Sequence, residues 1–180
     1  MIILGVDPGT VATGWGAIKQ VKSSPKDTST GSVPTGQAKL KVKSGFKLLD
    51  YGVIATSPKQ TAGKRLLELH KKISYLLKRI KPDVLVVEKL YFFKNLKTAL
   101  PVSEARGVIL LAASQQKIKV IELTPLQIKM GVCGYGRADK KQVQRMVQEI
   151  LCLKKPPKPD DAADGVAAAL CGAYLKANSG

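Results

Sequence analysis

Apolar residues in this chain follow two rhythms. Short unbroken runs read as buried strands: Ile2 to Asp7 ("IILGVD"), Val84 to Glu88 ("VLVVE") and Lys119 to Leu123 ("KVIEL"). Thr13 to Val21 ("TGWGAIKQV") and Phe46 to Thr56 ("FKLLDYGVIAT") predict two more strands, which join the first in an antiparallel meander. From Lys64 to Ile80 the spacing changes. Leu66, Leu69, Ile73, Leu76, Leu77 and Ile80 recur at helical intervals, so one face is buried, and Pro82 and Asp83 stop the helix. Further helices are predicted for Val102 to Gln116, for a short stretch opened by Thr124 and Pro125, for the amphipathic Lys140 to Leu151, and for the alanine-rich end of the chain. "GVCGYGRAD", Gly131 to Asp139, reads as a glycine-rich loop, and "KKPPKP", Lys154 to Pro159, as a stiff basic linker. Strands first, then alternating helices and strands, predict an α/β fold with a mixed sheet flanked by helices.

One stretch has neither rhythm. Between about Lys22 and Gly45 the sequence is "KSSPKDTSTGSVPTGQAKLKVKSG", nearly without large apolar residues, and it reads as a mobile basic insertion in a hairpin. The remainder fits one domain spanning 1–180, and at 44% hydrophobic residues it can bury a proper core.

Charge narrows the function. Thirty Lys and Arg against 13 Asp and Glu give a formal charge of +17, which points to a polyanionic partner, most simply nucleic acid. No segment approaches the roughly 18 apolar residues of a membrane span. "MIILGVDPGT" has no basic leader and meets an acid at Asp7, so it does not read as a signal peptide. Cys133, Cys152 and Cys171 are odd in number and form no CxxC, as expected of reduced, buried thiols in a cytoplasmic protein. His70 is the only histidine and falls among helix residues, which argues against a His-based triad or zinc site.

Against this basic background the acids stand out. "IILGVD" and "VLVVE" each run apolar and then place one carboxylate, Asp7 and Glu88. Charges seldom end a buried strand without a partner. In "KPDDAADGVAAALCGAY", Asp161 and Asp164 are three apart and share a helix face, as do Asp160 and Asp164. Gly165 and the alanines that follow would let this helix lie close to a sheet. The spacing in the last helix supports two readings. The acids either cap a helix N-terminus and oppose its dipole, or converge with Asp7 and Glu88 on a hard cation, Mg²⁺ or Mn²⁺. A cluster of carboxylates repels itself and is stable only if protonated or joined by such a cation.

Five blocks, "ILGVDPGTVATGWGAI", "VVEKLYFFKN", "EARGVILLAA", "GRADKKQVQRMV" and "PKPDDAADGVAAAL", resemble the RuvC Holliday junction resolvases in order and spacing, over nearly the whole chain except Lys22 to about Gly45. The resemblance implies a ribonuclease-H-like fold, a two-fold homodimer, and metal-dependent paired nicks across four-way DNA junctions in recombination and repair. It implies two Mg²⁺ per active site, with Mn²⁺ able to substitute, held by Asp7, Glu88, Asp161 and Asp164. Asp160 falls one place early and is expected to be a cap or a supporting acid. Tyr91 matches an aromatic that stacks on unpaired bases at the crossover; Phe92, Lys94, Lys129, Lys140 and Lys141 are the further DNA contacts it suggests. A RuvA–RuvB branch-migration complex is the implied partner. Two other readings remain: a related nuclease acting on RNA, and a junction-binding scaffold without catalysis. "DPGT" also resembles the first phosphate loop of the sugar-kinase and actin-like ATPases, but those need a second related domain, and the chain has no second copy.

Overall fold

The computed structural model describes residues 1–21, 45–89 and 96–177. The described chain runs β1 (Ile2–Asp7), β2 (Ala12–Gln20), β3 (Phe46–Ala55), α1 (Ala62–Ile80), β4 (Val84–Glu88), α2 (Leu96–Gln115), β5 (Lys119–Leu123), α3 (Pro125–Cys133), α4 (Lys140–Ile150) and α5 (Asp160–Ala177). The strands form one mixed sheet in the order β3-β2-β1-β4-β5. β1, β2 and β3 are an antiparallel meander, with a register shift between Ala17 and Ile18, while β4 and β5 extend the sheet in parallel from β1.

Alternation along the strands divides the core between the two faces of the sheet. Leu4, Val6, Trp15, Leu85 and Val87 pack toward α1 and α2, with Ile73, Leu77 and Ile109. Ile3, Ile18, Val84 and Val86 pack toward α3, α4 and α5, with Val147, Val166 and Leu170. Each fully buried Leu or Ile contributes roughly 1.5–3 kcal/mol relative to exposure. α1 closes on Lys81, whose φ of 49° is left-handed and whose N–H bonds the Leu77 carbonyl. α3 and α4 both open with capping boxes, Thr124 with Gln127 and Asp139 with Gln142.

α5 is the central helix. Ala162, Ala163, Ala167, Ala168 and Ala169 are all buried, and their small side chains bring its backbone onto the sheet. The approach is so close that a Cβ on Gly165 would stand 2.5 Å from Trp15 Cα, and one on Gly5 2.1 Å from the Gly165 carbonyl oxygen.

The structure departs from the sequence expectations in four places. α2 begins at Leu96 instead of Val102 and continues through Pro101, which deprives the helix of a single backbone donor. Gly131, Val132 and Cys133 belong to α3, which ends only at Gly134, where φ is 79°. Cys171 is buried, but Cys133 is only partly so and Cys152 is exposed, on a residue with φ of 51° that turns the chain after α4. Asp160 is the first residue of α5, not a residue preceding it, and its exposed carboxylate reaches back to Lys158 at 3.3 Å. The insertion expected at about 22–45 lies, but for its last residue, outside the described residues, as do Tyr91, Phe92 and Lys94.

Candidate active site

The site is built from two strand ends and one helix. β1 and β4 are parallel neighbours with Val6 opposite Val87, so Asp7 and Glu88, each one residue further on, leave the sheet side by side. α5 delivers its carboxylates to the same edge. Gly14 on β2 is the seat: a Cβ there would lie 1.8 Å from the Asp161 carbonyl oxygen, and only a bare backbone admits the helix start at this depth. Asp164 then falls one turn further along, above Asp7 and Glu88.

Asp7, Glu88 and Asp164 line one cavity of about 250 Å³ together with Lys129 and Lys140. Pro125, Ile128, Val143 and Ala167 form its apolar walls. α4 brings in Lys140, the residue directly after the cap Asp139, and its Nζ sits 3.0 Å from Asp164 Oδ2. Lys129 comes from α3. Asp161 is not among the cavity's lining residues, but its charge acts on Asp7.

The electrostatics show an incompletely neutralised acid cluster. Burial pushes the Asp7 carboxyl up from 3.8 to about 7, helped by the charges of Asp164 and Asp161 and opposed by Lys140. Burial also lifts Glu88 from 4.5 to about 8, with Asp7 and Asp164 adding to the shift and Lys129 and Lys140 resisting it. Asp164 is raised by burial too, against the hydrogen bond from Lys140. Two carboxyls held near neutrality by burial and mutual repulsion mark a place where a bound cation would gain much. All donors on offer are carboxylate oxygens, which suits Mg²⁺ or Mn²⁺ and does not suit zinc or copper. As the side chains stand, no group of three or more carboxylate, histidine or cysteine side chains among the described residues is close enough to share one ion. Lys140 holds Asp164 in the position of an internal counter-cation.

Of the other residues singled out from sequence, Lys141 is exposed on α4 and does not line the cavity. His70 pairs with Gln115 at 2.9 Å, away from the acids. Sequence reasoning missed the support of the turn after Asp7. Thr13 Oγ1 donates to the Gly9 carbonyl at 3.0 Å, Thr56 Oγ1 donates to the Thr10 carbonyl at 2.9 Å, and Arg65 Nη2 donates to that same Thr10 carbonyl. It also missed the Asp139–Gln142 capping box that sets Lys140, although the spacing Asp-x-x-Gln was there to be read.

A mixed five-stranded sheet carrying three antiparallel strands and two parallel ones, with helices on both faces, is the ribonuclease-H-like fold, a class that includes many nucleases. The family model "Crossover junction endodeoxyribonuclease RuvC" matches residues 29–172. The crossover junction endodeoxyribonuclease RuvC of Petrotoga mobilis is 45% identical over 171 residues, which is 95% of this chain and 92% of that one. Among solved structures, Thermus thermophilus RuvC superposes with a TM-score of 0.80 at 31% identity, covering 99% of this chain and 97% of that one. T. thermophilus RuvC in complex with Holliday junction substrate gives 0.78 at 28% identity, covering 99% and 96%. The chain belongs to the RuvC family of crossover junction endodeoxyribonucleases.

Proposed function

We propose that this RuvC-family endonuclease resolves four-way DNA junctions by hydrolysis at Asp7, Glu88, Asp161 and Asp164. The observation that carries the assignment is the side-by-side exit of Asp7 and Glu88 from adjacent parallel strands into a cavity shared with Asp164, with both strand-end carboxyls raised well above their ordinary range. The family is one of metal-dependent nucleases. The all-oxygen donor set suits Mg²⁺, with Mn²⁺ as a substitute; the proposal is two ions, which Asp7, Glu88, Asp161 and Asp164 would hold. When bound, such ions activate water for attack on a phosphodiester and offset charge on the leaving oxygen.

The chain's own residues do the rest. Asp7 and Glu88, fixed at strand ends, set where a cation would be held relative to the sheet edge. Asp164 would be one of the residues holding the cation, and Lys140, now 3.0 Å from it, favours an anionic phosphate in the same cavity. Lys129, which lines the same cavity, favours the same anion. The excess of basic residues supplies salt-dependent affinity without sequence content, and Lys94, Lys141 and the lysines of 22–43 would add to it. Tyr91 and Phe92 stack on bases exposed at an opened crossover.

Two symmetric nicks need two active sites, which a two-fold homodimer provides. The solved complex of T. thermophilus RuvC with a Holliday junction supports DNA junctions as the substrate over RNA, and a family of endodeoxyribonucleases supports catalysis over a scaffold role. We place the protein in the cytoplasm, working with a RuvA–RuvB complex; no helix among the described residues is long and apolar enough to cross a membrane. A nicking assay on a four-way junction beside linear duplex and structured RNA, with and without Mg²⁺, tests the reading. Paired, symmetric, Mg²⁺-dependent nicks in the junction alone are expected. Equal cutting of duplex or RNA, or a monomer by light scattering with junction present, would overturn it.

A further inference from the structure

The turn that follows Asp7 is held from the far side by residues with no other evident task. Pro8 to Val11 links the strand carrying Asp7 to β2. Its inner side is closed by Thr13, whose hydroxyl donates to the Gly9 carbonyl at 3.0 Å and lies 3.4 Å from the Gly9 N–H. A Cβ on Gly9 would come within 1.8 Å of the Ala12 carbonyl oxygen, so the turn is as tight as a backbone allows. Its outer side is gripped by two distant elements. Thr56, just past β3 and only 7% exposed, donates its hydroxyl to the Thr10 carbonyl at 2.9 Å, and its N–H donates to the Val11 carbonyl at 2.9 Å. Arg65, in the first turn of α1, donates Nη2 to the same Thr10 carbonyl while its Nε reaches Thr56 Oγ1 at 3.4 Å.

We infer that Arg65 and Thr56 are positioning residues for the catalytic centre: together they clamp the Thr10 carbonyl and so fix the direction in which Asp7 leaves β1. A carbonyl that accepts from a guanidinium and a hydroxyl at once cannot rotate without losing both. Asp7, three residues before, is paired with Gly14 at the other end of the same turn, so a shift of the Thr10 peptide would be passed to the backbone that carries its carboxylate. The planar fork of arginine suits the task because it reaches two oxygens in one geometry, which a lysine ammonium does not reproduce. Holding a carboxylate in place against the repulsion of Glu88 and Asp164 has a cost, and groups that orient a ligand in this way typically change metal affinity or activity by about 10- to 100-fold when removed. This inference rests on the proposed role of Asp7 as a cation ligand.

The test measures binding of Mn²⁺ alone by the loss of its free EPR signal, in the full chain without DNA. Arg65→Gln and Thr56→Val are each expected to weaken Mn²⁺ binding about 10-fold or more. The double variant should be little worse than the poorer single, because both side chains act through one carbonyl. Arg65→Lys should recover only part of the loss. Junction affinity in EDTA, and its slope against salt, should stay at the parental value. Unchanged Mn²⁺ affinity in both single variants would overturn the inference, as would strictly additive losses. So would weaker junction binding with a shallower salt slope for Arg65→Gln, which would make Arg65 a phosphate contact. If Arg65→Gln fails to fold, Thr56→Val and Arg65→Lys decide the matter by the same measurement. A parent chain that binds no Mn²⁺ would instead count against the metal site itself.

Discussion

Lys140 Nζ stands 3.0 Å from Asp164 Oδ2, so the first residue of α4 neutralises an acid in the second turn of α5. Burial pulls the Lys140 ammonium down, but the hydrogen bond and charge of Asp164, with the charges of Asp160 and Asp161, outweigh it and leave its pKa raised. Lys140 is itself half exposed, so in water the pair contributes no more than about 1 kcal/mol. It also acts on its neighbours, lowering Asp7 and Glu88. Lys140→Met should therefore cost the metal-free protein about 1 kcal/mol or less at neutral pH. It should also enlarge the rise in melting temperature that Mg²⁺ produces, which calorimetry with and without the ion will show.

The four acids should separate folding from cutting. Asp7→Asn, Glu88→Gln and Asp164→Asn each remove a buried acid that folding makes harder to ionise, so without metal each variant should melt no lower than the parent. Asp161→Asn should follow the same pattern. Each should bind a junction in EDTA with parental affinity, because the basic surface is untouched. Nicking should fall roughly 100-fold or more, the scale on which losing one group that stabilises developing charge acts. Asp160→Asn, whose exposed carboxylate faces Lys158, should cut at the parental rate. Parental cutting by Asp7→Asn and Asp164→Asn would remove the basis for the site.

Stability should depend on pH with an unusual sign. Asp7 moves from 3.8 to about 7 and Glu88 from 4.5 to about 8 on folding. Between those limits the folded state binds more protons than the unfolded one, so metal-free stability must decline as pH rises from about 4 to about 8. Glu88→Gln and Asp7→Asn should each flatten that decline, and Mg²⁺ should reduce it. Cutting should run the opposite way at limiting Mg²⁺, climbing across the same window as the carboxylates ionise. Its midpoint should shift to lower pH when Mg²⁺ is raised. A rate profile indifferent to Mg²⁺ concentration would contradict proton–metal competition.

Gly14 sets how deeply α5 seats. Gly14→Ala forces a methyl against the Asp161 carbonyl, and strain of this kind typically costs about 1–3 kcal/mol. The helix start should lift, carrying Asp161 and Asp164 with it, so the loss in nicking should exceed what the drop in melting temperature explains. Chemical denaturation and single-turnover cleavage on the same samples will compare the two.

The basic stretch should be dispensable for the fold. Val21 N–H bonds the Gly45 carbonyl at 2.7 Å, so the two ends of the stretch between β2 and β3 already meet. Replacing 22–43 with a short Gly/Ser turn should leave melting temperature and Mg²⁺-dependent cutting intact. Junction affinity should fall and its salt slope become shallower, since five lysines leave with it.

What the sequence determined by itself was whatever depends on local order. Apolar runs closed by an acid marked Asp7 and Glu88 as strand ends, and three-residue spacing placed Asp161 and Asp164 on one face, because strand and helix periods are properties of neighbouring residues. The helix boundaries at Leu96 and Gly134 were misplaced for the same reason: proline and glycine signal breaks locally, and packing of the whole helix overrides them. Tertiary structure alone decided that β1 and β4 are adjacent and that α5 crosses them on bare glycines. It also decided that Lys140 meets Asp164. The clamp on Thr10 joins residues 46 and 55 positions away. No periodicity encodes such contacts; they exist only once the two faces of the sheet have been filled and the elements have nowhere else to pack.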